Sequence, residues 1–130
     1  MKIFGTGTDI VNIKRMERSL KRYGTKFKKK IFSNNEIIYC EKKKYSSSSY
    51  AKRFAAKEAL TKALGVGIRK DVSFKNIEIT NDVYGNPSIL LKGATNNYLK
   101  KKIKSKKYRI YLSLSDDQPW AQATVIISYN

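Results

Sequence analysis

One stretch, residues 53–65, constrains the fold of this 130-residue chain more than any other. It is rich in Ala, Leu, Lys, Arg and Glu, which predicts a helix, and Gly65 supplies a left-handed residue to close it. The serine run 46–49 offers hydroxyls for the N-cap. At about 100° per residue, one side of this helix is apolar and should face the core. That side carries Ala56, Leu60, Ala63 and Leu64.

The opposite side of the predicted helix carries Glu58 and Lys62. Ala51 and Ala55 lie beside them, so we expect a nearly bare face and an accessible groove flanked by a carboxylate and an ammonium group. However, Glu followed by Lys four residues later is also a common stabilising pair on solvated helices, worth ~0.2–0.5 kcal/mol. Helix geometry alone leaves both interpretations open.

The charge composition limits the possible chemistry. The chain has 28 Lys and Arg against 10 Asp and Glu, no histidine, and a formal charge of +18. Without histidine, the usual general base at neutral pH and every Ser–His or Cys–His arrangement are excluded, so chemistry would depend on carboxylates, lysines or a metal. The positive charge favours an anionic partner, which could be nucleic acid, an acidic protein or a phosphorylated small molecule.

The single cysteine, Cys40, has no partner for an intrachain disulfide, and its neighbours Ile37 and Ile38 indicate a packing role in a reduced, cytoplasmic protein. We expect Ile37, Ile38 and Cys40 to point inward from one helix. The sequence has no long apolar run and no secretory signal, so a membrane partner is not expected.

The remaining patterns alternate between helices and strands, and the length favours a single domain, residues 1–130. Hairpin connections favour a largely antiparallel sheet and the α+β class. Strands are predicted at residues 2–10, 74–81, 88–91, 108–115 and 120–129. Helices are predicted at 13–23, with Asn12 as N-cap, and at 26–32 and 94–107. A further helix is predicted to begin at a capping box formed by Ser33 and Glu36.

The first strand has two further features. Gly5 and Gly7 inside it indicate that another backbone or a ligand approaches closely. Asp9 lies near its end, where the side chain could point into a cleft or could cap the following helix.

Four sequence phrases occur in a fixed order: Gly7 to Val11, Arg53 to Gly65, Asn81 to Pro87, and Ser113 to Ser115 followed by Trp120 to Ile126. Together they resemble holo-acyl-carrier-protein synthase, the short bacterial type of 4'-phosphopantetheinyl transferase, from about residue 3 to residue 127. The resemblance implies transfer of the phosphopantetheine arm of coenzyme A to a serine of apo-acyl carrier protein, for fatty acid biosynthesis, with release of adenosine 3',5'-bisphosphate. It also implies an antiparallel sheet packed against a central helix, and a homotrimer with active sites between neighbouring subunits.

The resemblance assigns roles to individual residues. Asp9 and Glu58 match the family's metal-binding acids, and Mg²⁺ suits them because it prefers oxygen ligands and keeps several waters. Lys62 matches a lysine that contacts the pyrophosphate, so the implied catalytic group is Asp9, Glu58 and Lys62. Arg53 matches an arginine near the 3'-phosphate of coenzyme A, and Gly65 belongs with Lys62 and Arg53 among the residues expected to bind the co-substrate.

The resemblance places Arg15, Arg18 and Arg22 on the helix that binds acyl carrier protein, a strongly acidic partner. In one departure, Asp116 stands where many relatives carry histidine. The serine proton could then pass to Glu58, to a metal-bound water or to bulk solvent. Two alternatives remain: a non-catalytic nucleic-acid-binding module, suggested by the charge and by tyrosines among lysines, and a degenerate relative that binds acyl carrier protein without chemistry. The family resemblance favours the enzyme, with no nucleic acid partner.

Overall fold

The computed structural model describes residues 1–69, 71–104 and 107–130. Its elements in chain order are β1 (Lys2–Asn12), α1 (Ile13–Ile31), α2 (Asn34–Glu41), α3 (Ser46–Leu64), a 3₁₀ turn (Phe74–Asn76), β2 (Ile77–Asn81), β3 (Pro87–Leu91), α4 (Gly93–Ile103), β4 (Tyr108–Asp117) and β5 (Trp120–Tyr129). Strands β1, β5 and β4 form an antiparallel sheet in that order, and β2 and β3 form a separate antiparallel hairpin. The predicted α+β class is therefore confirmed. Among the described residues, no helix is both long enough and apolar enough to span a bilayer.

Helix α3 is the centre of the fold. Its predicted apolar side is buried as expected, with Leu60 and Leu64 in the main core together with Val125 and Ile127 of β5. The prediction that Ala51 and Ala55 form a bare, exposed face is wrong, because both are 0% exposed. The sheet covers Ala55 and α1 covers Ala51, so α3 is enclosed on most of its surface.

Strand β1 lies directly against the backbone of α3. A Cβ atom built on Gly5 would lie 2.0 Å from the carbonyl oxygen of Ala63, and one on Gly7 would lie 1.9 Å from that of Ala59. The predicted close approach is therefore confirmed, and its partner is a helix backbone. Two strand residues advance about 6.6 Å and four helix residues about 6 Å, so the strand and the helix stay in step. The next residue on this face of β1, Asp9, is thereby carried to the flank of α3.

The first two predicted helices are joined in the structure. Helix α1 runs to Ile31 with a kink at Gly24, whose φ of 58° and ψ of −140° are not helical. The side chain of Asn12 accepts a hydrogen bond from the backbone N–H of Arg15, as expected for the N-cap. The capping box at Ser33 and Glu36 is also present.

The serine run does not cap α3. The helix begins at Ser46, so the serines form its first turn, and Tyr45 takes the N-cap position without a side-chain hydrogen bond. Two of the serine hydroxyls bond to other parts of the fold: Ser48 accepts from the Gln118 side chain, and Ser49 donates to the sulfur of Cys40. Serine hydroxyls that the sequence pattern predicted to cap α3 therefore form tertiary contacts instead.

Other boundaries differ in smaller ways. Ile38 is 55% exposed, contrary to expectation, because α2 turns Glu36 and Cys40 inward and Ile38 lies on its far side. Helix α4 ends at Ile103, and residues 105 and 106 of the predicted helix lie outside the described residues. The predicted strand at 74–81 begins with a 3₁₀ turn and becomes extended only at Ile77. Strand β4 continues to Asp117, two residues beyond its predicted end.

Candidate active site

The two acids predicted to hold a metal line one cavity. Asp9 comes from the end of β1 and Glu58 from the middle of α3, and both border a space of about 390 Å³. Arg15, Phe27 and Phe54 also line it. The packing of β1 on α3 is what joins these residues, although they are distant in sequence.

The electrostatics of this cavity favour a cation. Burial raises the pKa of Glu58, the negative charge of Asp9 raises it further, and the Lys62 ammonium opposes the rise. In the described part of the chain, the Glu58 carboxylate accepts no hydrogen bond and joins no ion pair. A desolvated carboxylate that is repelled by a neighbouring acid and lacks a partner is stabilised by a bound positive ion.

Lys62 bonds to β1 and not to Glu58. Its Nζ atom lies 2.9 Å from the carbonyl oxygen of Thr8 and 3.3 Å from Oδ1 of Asp9. The pair between residues four apart on a solvated helix is therefore not what the structure shows. The Lys62 side chain is 56% exposed, so its ammonium is accessible beside the acids. Gly65 closes α3 in a left-handed conformation with φ of 80°, as predicted, and a Cβ on it would meet nothing within 4 Å.

The donor set fits a magnesium ion. The described residues contain no cluster of three or more His, Cys, Asp or Glu side chains that could enclose a metal. Two carboxylates beside an open space offer part of an octahedral oxygen set, and waters and substrate phosphates would supply the rest. Asp9 and Glu58 are the residues that could hold such an ion.

Arg53 lies in a second and larger cavity, of about 950 Å³, between α2, α3 and the β2–β3 hairpin. The side chain is 2% exposed. Its guanidinium donates to Oγ of Ser49 at 3.3 Å and to Oδ1 of Asn81, and its central carbon lies 4.1 Å from the centre of the Tyr39 ring. Its Nε atom is buried without a hydrogen-bond partner.

The charge of Arg53 is not neutralised by the described residues, because no carboxylate pairs with it. Three more cations, Lys43, Lys44 and Lys52, line the same cavity. The acid there, Asp116, lies 3.5 Å from Lys52. A buried guanidinium held by neutral groups among lysines forms a binding site for an anion. Asp116, the position where the resemblance implies a histidine in many relatives, thus lines the Arg53 cavity and not the cavity of Asp9 and Glu58.

The structure joins Asp9, Glu58 and Lys62 but separates Arg53 from them. The two cavities share no lining residue. Lys62 follows Arg53 by nine residues on α3, which places it about 13 Å further along the axis and half a turn around it.

The three arginines predicted to bind a partner lie on the surface of α1. Arg15, Arg18 and Arg22 are all exposed and border one shallow depression. Within the described ranges, none of them forms an ion pair. Arg15 also lines the cavity of the two acids, so this basic surface, Arg15–Arg18–Arg22, adjoins the candidate metal site.

The sequence does not predict that Tyr39 and Asn81 contact Arg53, nor that Glu36 and Lys57 form a buried ion pair nearby on the same elements. A signal for one of them exists. Residues 50, 53, 57, 60 and 64 follow the 3–4 spacing of a buried helical stripe, so Arg53 and Lys57 occupy core positions.

Known proteins resemble this chain over nearly its whole length. The model of the 4'-phosphopantetheinyl transferase superfamily matches residues 5–123. The holo-[acyl-carrier-protein] synthase of Caulobacter vibrioides is 44% identical over 126 residues, covering 96% of this chain and 95% of that protein. The crystal structure of the Neisseria meningitidis synthase is similar with a TM-score of 0.88 and 38% identity, covering 98% of this chain and 99% of that one.

The Helicobacter pylori holo-[acyl-carrier-protein] synthase, solved in complex with coenzyme A, has a TM-score of 0.81 and 38% identity over 95% of this chain and 99% of that one. The family model, the relatives and the solved structures each match nearly the whole length of the chain. The chain therefore belongs to the holo-[acyl-carrier-protein] synthase family within the 4'-phosphopantetheinyl transferase superfamily.

Proposed function

We propose that this protein is a Mg²⁺-dependent holo-acyl-carrier-protein synthase. It transfers 4'-phosphopantetheine from coenzyme A to a serine of apo-acyl carrier protein and releases adenosine 3',5'-bisphosphate. The observation that carries this proposal is the cavity shared by Asp9 and Glu58 with Lys62 beside it, in a chain whose relatives bear that name. We also assign the protein to the cytoplasm, because its lone Cys40 is buried and free.

Asp9 and Glu58, which line what we call the acid cavity, and Lys62 and Gly65 each have a task in this reaction. Asp9 and Glu58 would hold Mg²⁺, which when bound neutralises charge on the pyrophosphate. Lys62 would bind a pyrophosphate oxygen as a compact positive charge, since its ammonium is exposed beside Asp9. Gly65 leaves the end of α3 open to the co-substrate. The chain has no histidine, so the serine proton passes to a carboxylate or to water.

The Arg53 cavity suits the nucleotide end of coenzyme A. The uncompensated guanidinium and the neighbouring lysines would bind the 3'-phosphate, which carries up to two negative charges. Leaving Nε of Arg53 unpaired in a buried site costs free energy, and a bound phosphate oxygen would remove that cost.

The reaction itself can be tested directly. Apo-acyl carrier protein incubated with this protein, coenzyme A and Mg²⁺ is expected to gain the mass of one phosphopantetheine group. No gain with either Mg²⁺ or Mn²⁺ would refute the proposed activity. Full turnover in the presence of excess chelator would refute the metal assignment alone.

The basic surface of α1 is expected to bind the acidic carrier protein. Exchanging Arg15, Arg18 and Arg22 for Glu should raise KM for the carrier protein at least tenfold, because like charges would then meet across the interface. Rising salt should lower kcat/KM of the wild type by screening, and should affect this variant less.

A matched control for that variant lies on α4, where Lys100, Lys101 and Lys102 are exposed. Exchanging these three for Glu makes the same change in net charge at a different surface. Equal losses in both triple variants would show that only net charge matters, and would contradict a docking site on α1.

We propose a homotrimer with composite active sites. One face of the β1–β5–β4 sheet packs on α3, whereas the other face is uncovered and exposes Ile10 at 60% and Tyr111 at 45%. A small domain gains stability by burying such a face against copies of itself. The separation of Arg53 from Lys62 supports the same arrangement, because one coenzyme A could contact Lys62 of one subunit and Arg53 of its neighbour.

Mixing two inactive variants tests this arrangement. Subunits with Glu58→Gln and subunits with Arg53→Met should each have little activity alone, and co-refolding should restore activity at sites that take Glu58 and Arg53 from different chains. Sedimentation should show a trimer for the wild type and smaller species for the double variant Ile10→Glu with Tyr111→Glu. A fully active wild-type monomer would contradict the proposal.

A further inference from the structure

A buried lysine projects from the same face of α3 as Arg53, and the reaction above does not use it. Lys57 is 0% exposed, and its Nζ atom donates to Oε1 of Glu36 and to the carbonyl oxygen of Phe74, both at 2.8 Å. It also donates to the carbonyl oxygen of Ile77. All three ammonium hydrogens are thereby engaged, so Lys57 is not available to bind a ligand.

Its partner Glu36 is equally enclosed and extends the network. Oε1 of Glu36 also accepts from the backbone N–H of Ser33 at 2.8 Å, and Oε2 accepts from the backbone N–H of Ile79 at 3.0 Å. The Lys57–Glu36 pair therefore ties together α3, α2 and β2. These three elements carry the groups that hold the guanidinium of Arg53.

The two sets of residues are in register. On α3, Arg53 precedes Lys57 by four residues, so both project from the same face. On α2, Tyr39 follows Glu36 by three residues, which again selects one face. On β2, Asn81 follows Ile79 by two residues, where the strand repeats its orientation. On each of the three elements, the residue that belongs to the buried network therefore lies one turn of helix, or two strand residues, from a residue of the Arg53 site.

A buried ion pair at this position is expected to add little to the folding stability of the protein. Burial lowers the pKa of Lys57 while Glu36 opposes the decrease, so holding the charge has an energetic cost. Apolar residues of similar volume often stabilise a core as well as a buried ion pair does. What hydrogen bonds add is direction, since each fixes an angle as well as a distance.

We propose that Lys57 and Glu36 are positioning residues for the anion site at Arg53, a proposal that rests on the proposed function for the identity of the anion. The pair holds α2, α3 and β2 so that Tyr39 and Asn81 direct the guanidinium toward the 3'-phosphate. Loss of the pair leaves the cavity lined by the same residues but with the guanidinium misdirected.

Nucleotide binding is the test, and it does not depend on turnover. Calorimetry would compare adenosine 3',5'-bisphosphate with adenosine 5'-monophosphate, which lacks the 3'-phosphate. The wild type should prefer the bisphosphate, and Arg53→Met should lose that preference. Because Lys57→Met alone leaves the Glu36 carboxylate buried without its counter-ion and could fail to fold, the main variant is Lys57→Met with Glu36→Gln, which keeps a residue able to form the capping box.

In this double variant we expect the preference for the bisphosphate to decrease about tenfold, which corresponds to about 1.4 kcal/mol of binding free energy. In turnover, KM for coenzyme A should rise while kcat stays within about threefold, because the acid cavity is elsewhere. A merely structural role would lower the number of binding sites per chain and leave each dissociation constant unchanged.

Thr95→Val is the matched control. Thr95 is 0% exposed and its hydroxyl bonds to the backbone of Ser73 and Asp71, away from the Arg53 cavity. This variant should lose stability with the preference intact. An unchanged preference in the Lys57 and Glu36 double variant, or no preference in the wild type, would overturn the positioning role. Absent turnover with nucleotide preference retained would refute the proposed function instead.

Discussion

Replacing Asp9 by Asn or Glu58 by Gln is expected to lower kcat by about 10³-fold or more, which corresponds to about 4 kcal/mol of lost transition-state stabilisation. Each change keeps the size of the side chain and removes one of the two negative charges that would hold Mg²⁺. The binding of Mn²⁺, measured by electron paramagnetic resonance, should weaken in parallel. Asp117→Asn is the control, because Asp117 is an exposed carboxylate at the end of β4.

These variants should remain folded, which separates lost chemistry from lost structure. Burial and the charge of Asp9 raise the pKa of Glu58, so the ionised carboxylate disfavours the folded state without metal. Glu58→Gln should therefore be at least as stable as the metal-free wild type at pH 7. Any gain should grow as the pH rises through the raised pKa and vanish at low pH, where Glu58 is protonated in both states. If both variants turned over at the wild-type rate, the metal assignment would be wrong.

The parts of the fold that local patterns predict are those whose cause is local. The capping box at Ser33 and the left-handed Gly65 each depend on a few adjacent residues, and both are present. Glycine inside a strand indicates that another backbone or a ligand comes close, so Gly5 and Gly7 predict a close neighbour. Only the structure identifies that neighbour as α3. Only the family resemblance pairs Asp9 with Glu58, since nothing in their spacing requires them to meet.

The sequence was least informative about α3, because nearly every side of this helix is covered. A prediction based on one apolar side assigned Ala55 to an open groove, whereas the sheet packs there. If only one side of α3 is assumed to be buried, Lys57 is not predicted to be in the core. This charged residue is buried and forms hydrogen bonds to α2 and to the segment before β2. Arg53 and Glu58 are close in sequence yet face different cavities, because five residues rotate a helix by about 140°.

The contact between β1 and α3 gives the largest expected effect on stability. Gly7→Ala would place a methyl group 1.9 Å from the carbonyl oxygen of Ala59, and Gly5→Ala one 2.0 Å from that of Ala63. Both obstacles are backbone atoms, so strand and helix must separate. We expect each variant to lose about 3 kcal/mol or more of unfolding free energy in urea titrations. Because the same contact brings Asp9 to Glu58, activity in the folded fraction should also decrease.

Gly67→Ala is the matched control for these two variants, because a Cβ there would meet nothing within 4 Å. It should change stability by less than about 1 kcal/mol, and a small gain is the expected direction, since alanine restricts the unfolded chain. If Gly7→Ala were as stable as Gly67→Ala, β1 would not lie against the backbone of α3. The geometric basis for pairing Asp9 with Glu58 would then be lost, because that packing alone brings the two acids into one cavity.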